Sequence, residues 1–466
     1  MRIDLPVFAP DQSINSGVLQ IAENVEPAAD GYRPILDIVT SGSALAETFN
    51  GGAAFISTNG TAYLLAGTTA KLCRWSAGGW SNLLTGLTVT KRWQFTQFGD
   101  YVVAVNGGDT KVVDLNAGTA GNLTGAPKGT CITVVGDQVV IGQADENILL
   151  VKWSAFNDHT GWTAGVDQSG FQPMLTGGEI MGIAGGEYGI ILQRGRLVRM
   201  SRTGDADAPF QFDEITPNVG CASKGSIAQA GRSVFFLSDR GFMACEDGQL
   251  PVPIGNESVD RTFLKEVPRD DWERLYATVD PVNAVVRWAL PGTPGKQWLY
   301  NWTLKRWSTP RYTFEGVFSG FTSSTDTDNT GITDIDADTR TVDDPEFSGG
   351  NPSLYVIKGG KLGTESGTPI QASLWMGFVE FTKDMVSRLR NFRPVGDMTT
   401  ATCVLDCRQR LGDAENLRTA DAMRGSGVMP VRASGKYVAT RFTIPAGHLW
   451  SYVRAFEYDI AAGGRR

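Results

Sequence analysis

The stretch VKWSAFNDHTGWTAG, residues 151–165, places Ser154, Asp158 and His159 between Trp153 and Trp162. His159 is one of only two histidines in the chain. Serine, histidine and aspartate are the parts of an acyl-transfer site: a nucleophile, a base and a group that orients the base. Such a site is defined by geometry rather than by order along the chain. Here Ser154 and His159 share one local segment, and no G-x-S-x-G elbow frames the serine. The structural reading is a strand, ILLVKWSAF, ending in an Asx-type turn at NDHTGW where the chain leaves its β-unit. Trp153 is then a core residue, Trp162 folds back on the sheet, and His159 has no chemical role. We adopt this scaffold reading. His448, in PAGHLW, follows a turn and reads as a surface or capping residue.

Other chemistry is thinly represented. Two histidines and scattered cysteines do not make a zinc site. DTDNTG and DIDAD offer alternating oxygens from Asp326, Asp328, Asp334, Asp336 and Asp338, a weak calcium pattern. Ala337 stands where a calcium loop needs an acid, and no helices flank it, so a solvated loop is preferred. LSDRG, residues 237–241, resembles the Ser-x-Asp-x-Gly turn of sialidase propellers but is one residue short. It reads as a hairpin turn with Gly241 at positive φ. WLYNWTLKRWSTP, residues 298–310, holds three tryptophans at strand spacing, which points to packing between sheets. There is no Walker A, GxGxxG or HExxH pattern. The expectation is a non-enzymatic protein without metal or cofactor.

The elements that carry these residues repeat. Residues 53–83 and 93–123 each contain three apolar runs cut by NG, GD or GGD turns, then a short fourth segment ending in Asn-Leu. NG and GD between alternating apolar runs are hairpin signals, so the unit is a four-stranded meander. Further units start near residues 131, 180, 226, 274 and 316, at spacings of 38 to 49. Four strands at that period predict a β-propeller of about seven blades, with six to eight acceptable. GYRPILDIV, residues 31–39, is expected to close the ring by pairing with the last blade. NESVDRTFLKEV (256–267) and PRDDWERLYA (268–277) carry helix-start signals between blades five and six. The run 324–350 holds eight acidic residues and one arginine and reads as an insertion in the last blade. Its Asp326, Asp328, Asp334, Asp336, Asp338, Asp343, Asp344 and Glu346 are expected to form a partner contact or a gate. After residue 370 the period breaks. The expected division is 1–369 for the propeller with its closing segment and acidic insertion, and 370–466 for a smaller β-sandwich-like domain.

Composition agrees with an all-β chain. Glycine makes up 56 of 466 residues, which means many tight turns. The formal net charge of −8 argues against electrostatic wrapping of nucleic acid. The start MRIDLPVFAPDQ lacks a signal-peptide pattern, and no apolar run is long enough for a membrane helix. The six cysteines include Cys403 and Cys407, four apart on one strand face and too far for an unstrained bridge. Reduced thiols made in a cytoplasm are expected.

Four stretches carry a family resemblance: NSGVLQIAENVEPAADGYRPILD, VKWSAFNDHTGW, the run from GIILQRGRLVRMS to FLSDRGFMAC, and SGKYVATRFTIPAGHLWSYVRAFEYDI. In this order the chain resembles the β-propeller tail proteins of short-tailed bacteriophages, called tail nozzle, tail tubular B-type or packaged-DNA-stabilising proteins. Val25, where an aromatic is expected, and the acidic run depart from the pattern. The resemblance implies a structural virion protein, assembled in the host cytoplasm as a ring, expected to be a hexamer, below the portal. Its implied partners are copies of itself, the head-to-tail adaptor, tail fibres or spikes, and phage DNA passing through the lumen without sequence-specific binding. Insertion in a membrane is not implied. The alternative is a carbohydrate-binding or polysaccharide-degrading propeller at a tail tip, which would need two carboxylates facing each other at the tunnel mouth.

Overall fold

The computed structural model describes residues 1–76, 78–321, 352–383 and 385–462. The acidic run, with the calcium candidates Asp326, Asp328, Asp334, Asp336 and Asp338 and with Asp343, Asp344 and Glu346, lies outside the described residues. The chain is all-β and forms a β-propeller of seven four-stranded antiparallel sheets. Their innermost strands begin at Phe49, Gln94, Cys131, Ile180, Ala228, Tyr276 and Gly316. In the sixth blade an extra strand, Arg311–Phe314, pairs beside the meander.

Local chemistry explains the blades. Gly136 and Asp137 both take positive φ, at 51° and 65°, giving a two-residue turn of the twist that hairpins favour. The second strand of a blade is sandwiched by both neighbouring blades, so it is apolar throughout rather than alternating. Val102–Val105, Val139–Ile141, Ile190–Leu192 and Phe235–Leu237 are all buried. The seventh blade closes the ring: Gly316–Phe321, Pro352–Lys358 and Lys361–Pro369 are completed by Leu36–Ser41 from near the N-terminus, with Glu365 opposite Ile38. Its inner strand then packs on the inner strand of the first blade.

Two expectations need correction. Only part of the 31–39 segment closes the ring. Gly31–Pro34 pairs instead with Val25–Ala28 and, through Tyr32, with Val453. The predicted 1–369 propeller is therefore divided, because residues up to 34 build the second body. That body is a sandwich. One sheet runs Val25–Ala28, Gly31–Pro34, Val453–Ala462, Ser387–Gly396, Met429–Gly435, with Arg2–Asp4 beside Val453–Ala462. The other runs Leu19–Glu23, Ala372–Glu380, Tyr437–Ile444, Thr402–Arg408, Leu417–Thr419. Pairing across more than 400 residues leaves no local signal, so sequence order alone misassigns it.

The sandwich core does not stop at its own edge. Leu374, Phe392 and Phe442 belong to the same buried cluster as Phe242, Trp288, Trp298 and Trp307 of blades five and six. Trp288 and Trp307 stack at 5.7 Å, and Trp298 meets Phe263 edge-on at 4.9 Å. The helix Asp260–Glu266 and the 3-10 turn Arg269–Arg274 fill the corner between the two bodies. The helix is capped from a distance. The Asp11 carboxylate accepts from the Arg261 and Thr262 amides at 2.8 and 2.7 Å.

Ile38 is buried in the closing strand, whereas Val39 beside it is half exposed. Ile38→Ala should therefore cost about 2–4 kcal/mol and Val39→Ala less than about 0.5 kcal/mol, measured by chemical denaturation. Equal effects would show that the closing strand is not packed as described.

Candidate functional site

The Ser154–His159 cluster is structural in its bonding. Ser154 is fully buried, and its Oγ accepts from the Val139 amide at 3.0 Å and donates to the Ala155 carbonyl at 3.1 Å. The Asp158 carboxylate accepts from the Thr160 amide and hydroxyl at 2.8 and 2.7 Å, which is an Asx turn. The His159 ring stacks on Tyr101 of the second blade at 4.4 Å. Burial lowers its pKa, and Asp158 opposes the shift. Trp162 donates to the His159 carbonyl and packs between blades two and three, while Trp153 packs edge-on against Phe210 of blade four. The segment does not leave the blade, as the sequence implied. It is a long loop between the third strand, Leu150–Trp153, and the fourth, Gly170–Pro173. A four-residue strand ending in proline carries too little pattern to be read.

His448 is half-buried beyond the strand Tyr437–Ile444. All six cysteines are buried and unpaired. Burial pushes Cys73 and Cys245 up to about 11, and Cys131, Cys221 and Cys407 up to about 12, which keeps these thiols protonated at neutral pH.

Three polar arrangements were not legible in the sequence. The first lies at the mouth of the ring axis, where the N-terminal ends of the inner strands converge. Arg92, before blade two, reaches across to blade six. It donates to the Leu275 carbonyl and, at 3.1 Å, to that of Glu273, and its guanidinium lies 3.9 Å over the Tyr276 ring. Gly225 of blade five packs so close to Leu275 and Arg92 that a Cβ there would overlap both. Beside this bar is a cleft of about 300 Å³ that includes Lys91, Lys224 and Glu273. Lys224 bonds Glu179 at 2.6 Å, and Gln143 donates to Glu179 at 2.7 Å. Burial pushes the Glu179 carboxyl up, but the bonds from Lys224 and Gln143 outweigh it and hold the pKa below its ordinary value.

The second arrangement is Asp260 beside the LSDRG turn. Gly241 has φ of 127°, and both Gly241 and Gly255 face the Asp260 carboxylate where a Cβ would overlap it. Asp260 accepts from the Phe242 amide at 3.0 Å. Burial, helped by the nearby Asp11 charge, raises its pKa to about 6.

The third is a buried ion cluster at the junction of both bodies. Arg287 of blade six is 2% exposed and holds Glu365 of blade seven with two bonds, at 2.6 and 3.0 Å. It also reaches Glu26 of the sandwich at 3.3 Å, and Arg33 pairs with Glu26 from the other side at 2.5 Å. Tyr312 donates to Glu365 at 2.8 Å. Burial disfavours the guanidinium charge, but Glu365 and Glu26 outweigh it and raise the Arg287 pKa. Burial raises that of Glu26.

Together these features define a seven-bladed propeller fused to a sandwich, in which the described polar clusters bridge blades and bodies. No family model and no curated protein matches the chain. Among solved structures it is similar to U3-55K at 8% identity and TM-score 0.38, over 63% of this chain and 89% of that one. The WD40 repeats of RRP9 match at 8% identity and TM-score 0.37, over 60% and 89%. The extracellular domain of BT4673, a putative one-component system from B. thetaiotaomicron, matches at 12% identity and TM-score 0.41, over 78% and 43%. Likeness this distant adds nothing about function, and the propeller assignment rests on the strand pairing.

Two outcomes test this account. Arg287→Ala removes the shared cation from Glu26 and Glu365, leaving Glu26 only Arg33 and Glu365 only Tyr312, and should destabilise the fold by about 2–4 kcal/mol, read from denaturant midpoints. Asp260 gives a pH signature. A carboxyl whose pKa is raised by folding holds its proton more tightly in the folded state. Its contribution is most favourable below the unfolded value, near 4, and is lost as pH rises through about 6. Asp260→Asn should therefore be more stable than the parent above pH 7, by up to about 3 kcal/mol, and match it near pH 4. A difference that does not change between those limits would contradict the assignment.

Proposed function

We propose that this chain is a structural subunit of a short-tailed phage tail, assembling as a closed ring, a hexamer, below the portal and adaptor. In this reading the ring continues the DNA channel and helps to retain and then release the genome. The observation that carries the proposal is Arg92 bonded across the mouth of the propeller axis to Leu275 and Glu273. A propeller barred on its own axis is suited to act as a rigid block, so a conduit for DNA has to run between copies. The shared core of sandwich and blades five and six gives the block one fixed shape. The net charge of −8 per chain totals about −48 for six copies, and acidic walls favour sliding of DNA over binding. The order of resembling sequence stretches points the same way.

The carbohydrate-active alternative needs a raised-pKa acid facing an ionised carboxylate. Glu179 at the axial mouth is held below its ordinary pKa and already bonded by Lys224 and Gln143, so it suits only the ionised role. Negative-stain micrographs and native mass spectrometry of the purified chain are expected to show closed rings of six copies. A monomer persisting at micromolar concentration, or sugar released from host polysaccharide, would overturn the proposal.

A further inference from the structure

Charge is divided unevenly along the chain. The sandwich, residues 1–34 and 370–466, carries 16 Lys and Arg against 14 Asp and Glu, whereas residues 35–369 carry 26 against 36. Part of the sandwich's positive charge is gathered on one sheet face. On the sandwich strand Ser387–Gly396, Ser387 and Leu389 point inward, and Arg388 and Arg390 are exposed. On the neighbouring strand Met429–Gly435, the same alternation exposes Arg432, and Arg388 stands opposite Ser434. Among the described residues, none of these three arginines has an ion pair. Elsewhere in the sandwich, Arg408 holds Asp406 at 2.7 Å, Arg441 holds Glu415 at 2.6 Å, and Arg393 on the same strand faces Glu457 at 3.9 Å. Like charges close together on one sheet face are mildly destabilising in the isolated chain. Unpaired arginines on a rigid strand are the kind of group that protein interfaces favour.

Among the described outer strands of the ring, one offers a matching surface. These outer strands are edge strands with a free row of backbone groups. The longest is Phe210–Thr216 of blade four, seven residues, with Asp213 and Glu214 exposed. Asp205 and Asp207, in the turn that leads into it, are exposed as well. The outer strands Gly79–Leu84, Thr119–Asn122, Gly170–Pro173, Val252–Pro253 and Arg306–Ser308 contain no acidic residue. The closing strand Leu36–Ser41 has one, Asp37, which already meets Lys358 at 3.5 Å. Charge on an edge strand blocks indiscriminate strand pairing. Acidic charge blocks it while leaving a cationic surface as the compatible partner. Of Asp205, Asp207, Asp213 and Glu214, only Glu214 has an ion pair among the described residues, with Arg196 at 3.2 Å.

We propose that the Arg388, Arg390 and Arg432 face of the sandwich docks on the Asp205, Asp207, Asp213 and Glu214 edge of blade four of a second copy. The inference rests on the ring reading above and names its contact. The two patches are different surfaces of one chain, so the contact is head-to-tail, the arrangement that generates closed rings or filaments rather than two-fold dimers. Its electrostatic part weakens as salt rises.

Charge reversal on each side tests it. Arg388→Glu with Arg390→Glu, and Asp213→Arg with Glu214→Arg, are made separately and together, and assembly is followed by sedimentation at low and high salt. All four positions are exposed, and circular dichroism checks that the fold persists. Each reversal alone should weaken assembly by at least about tenfold in dissociation constant, and a mixture of the two singly reversed proteins, or the combined variant, should recover it. Assembly unchanged by either reversal, or lost in both and not recovered on combination, overturns the contact. Intact rings of Arg388→Glu with Arg390→Glu that have lost retention of duplex DNA on a filter also overturn it, in favour of a nucleic-acid face. If the unaltered protein sediments as a monomer at every salt concentration, the ring reading itself falls, and that is read without any variant.

Discussion

Arg287 is the interaction on which the architecture turns. It is buried in the sixth blade, its carboxylate partners come from the seventh blade and from the N-terminal hairpin of the sandwich, and no two of the three are near in sequence. A buried guanidinium is tolerated only when its charge is matched. Glu365 can reach it only when its strand is in register with Leu36–Ser41, because Glu365 faces Ile38. Glu26 can reach it only when the hairpin is seated on the sandwich. A slipped closing strand or an undocked sandwich would leave an uncompensated charge inside the protein. An apolar contact at the same place would forgive such errors, whereas the ion cluster is satisfied only in the observed register and docking.

The N-terminal segment shows why some of this was legible and some was not. The blade repeat is written locally, in NG and GD turns and apolar runs, and the observed inner strands begin within four residues of the starts read from sequence. The closing strand was half legible: ILDIV has a strand pattern, and a ring needs closure. Nothing in GYRP says that it belongs to a different sheet from the residues just after it. The switch between bodies happens at Ile35, buried between the two strands, and the pairing that decides it is with residue 453. The helix between blades five and six was read from its own periodicity, but its cap, Asp11, lies some 250 residues away. Signals of period two or near four survive in a single sequence, and partners chosen by the tertiary fold do not.

The polar residues that first drew notice illustrate the same limit from the other side. Ser154, Asp158 and His159 sit close together in sequence, yet each faces a different neighbour: a backbone amide of its own blade, a threonine two residues on, and a tyrosine of the preceding blade. A nucleophile and its base need a shared hydrogen bond, and chain proximity does not supply one. Conversely, Gln143, Glu179 and Lys224 are drawn from three separate blades and form a connected set at the axial mouth, with Arg92 lining the same cleft as Lys224. In a propeller the ends of the inner strands converge whatever their spacing along the chain. Polar residues just before those strands, and at the ends of the second strands as with Gln143, are therefore the ones that meet.

That convergence also bears on where binding can occur. At this mouth the converging groups satisfy each other, with Arg92 on carbonyls across the ring and Lys224 on Glu179. An incoming ligand would have to replace charge-assisted bonds already made in a partly buried place, which costs more than pairing with groups held only by water. The groups with capacity to spare are elsewhere, on the flat outer face of the sandwich and on the acidic edge of blade four. Arg388, Arg432, Asp213 and Glu214 are held on strands, so their backbone needs no ordering on contact and the entropy lost there is mainly that of side chains. In the ring proposed above, copies associate through these two charged surfaces rather than through the axial mouth.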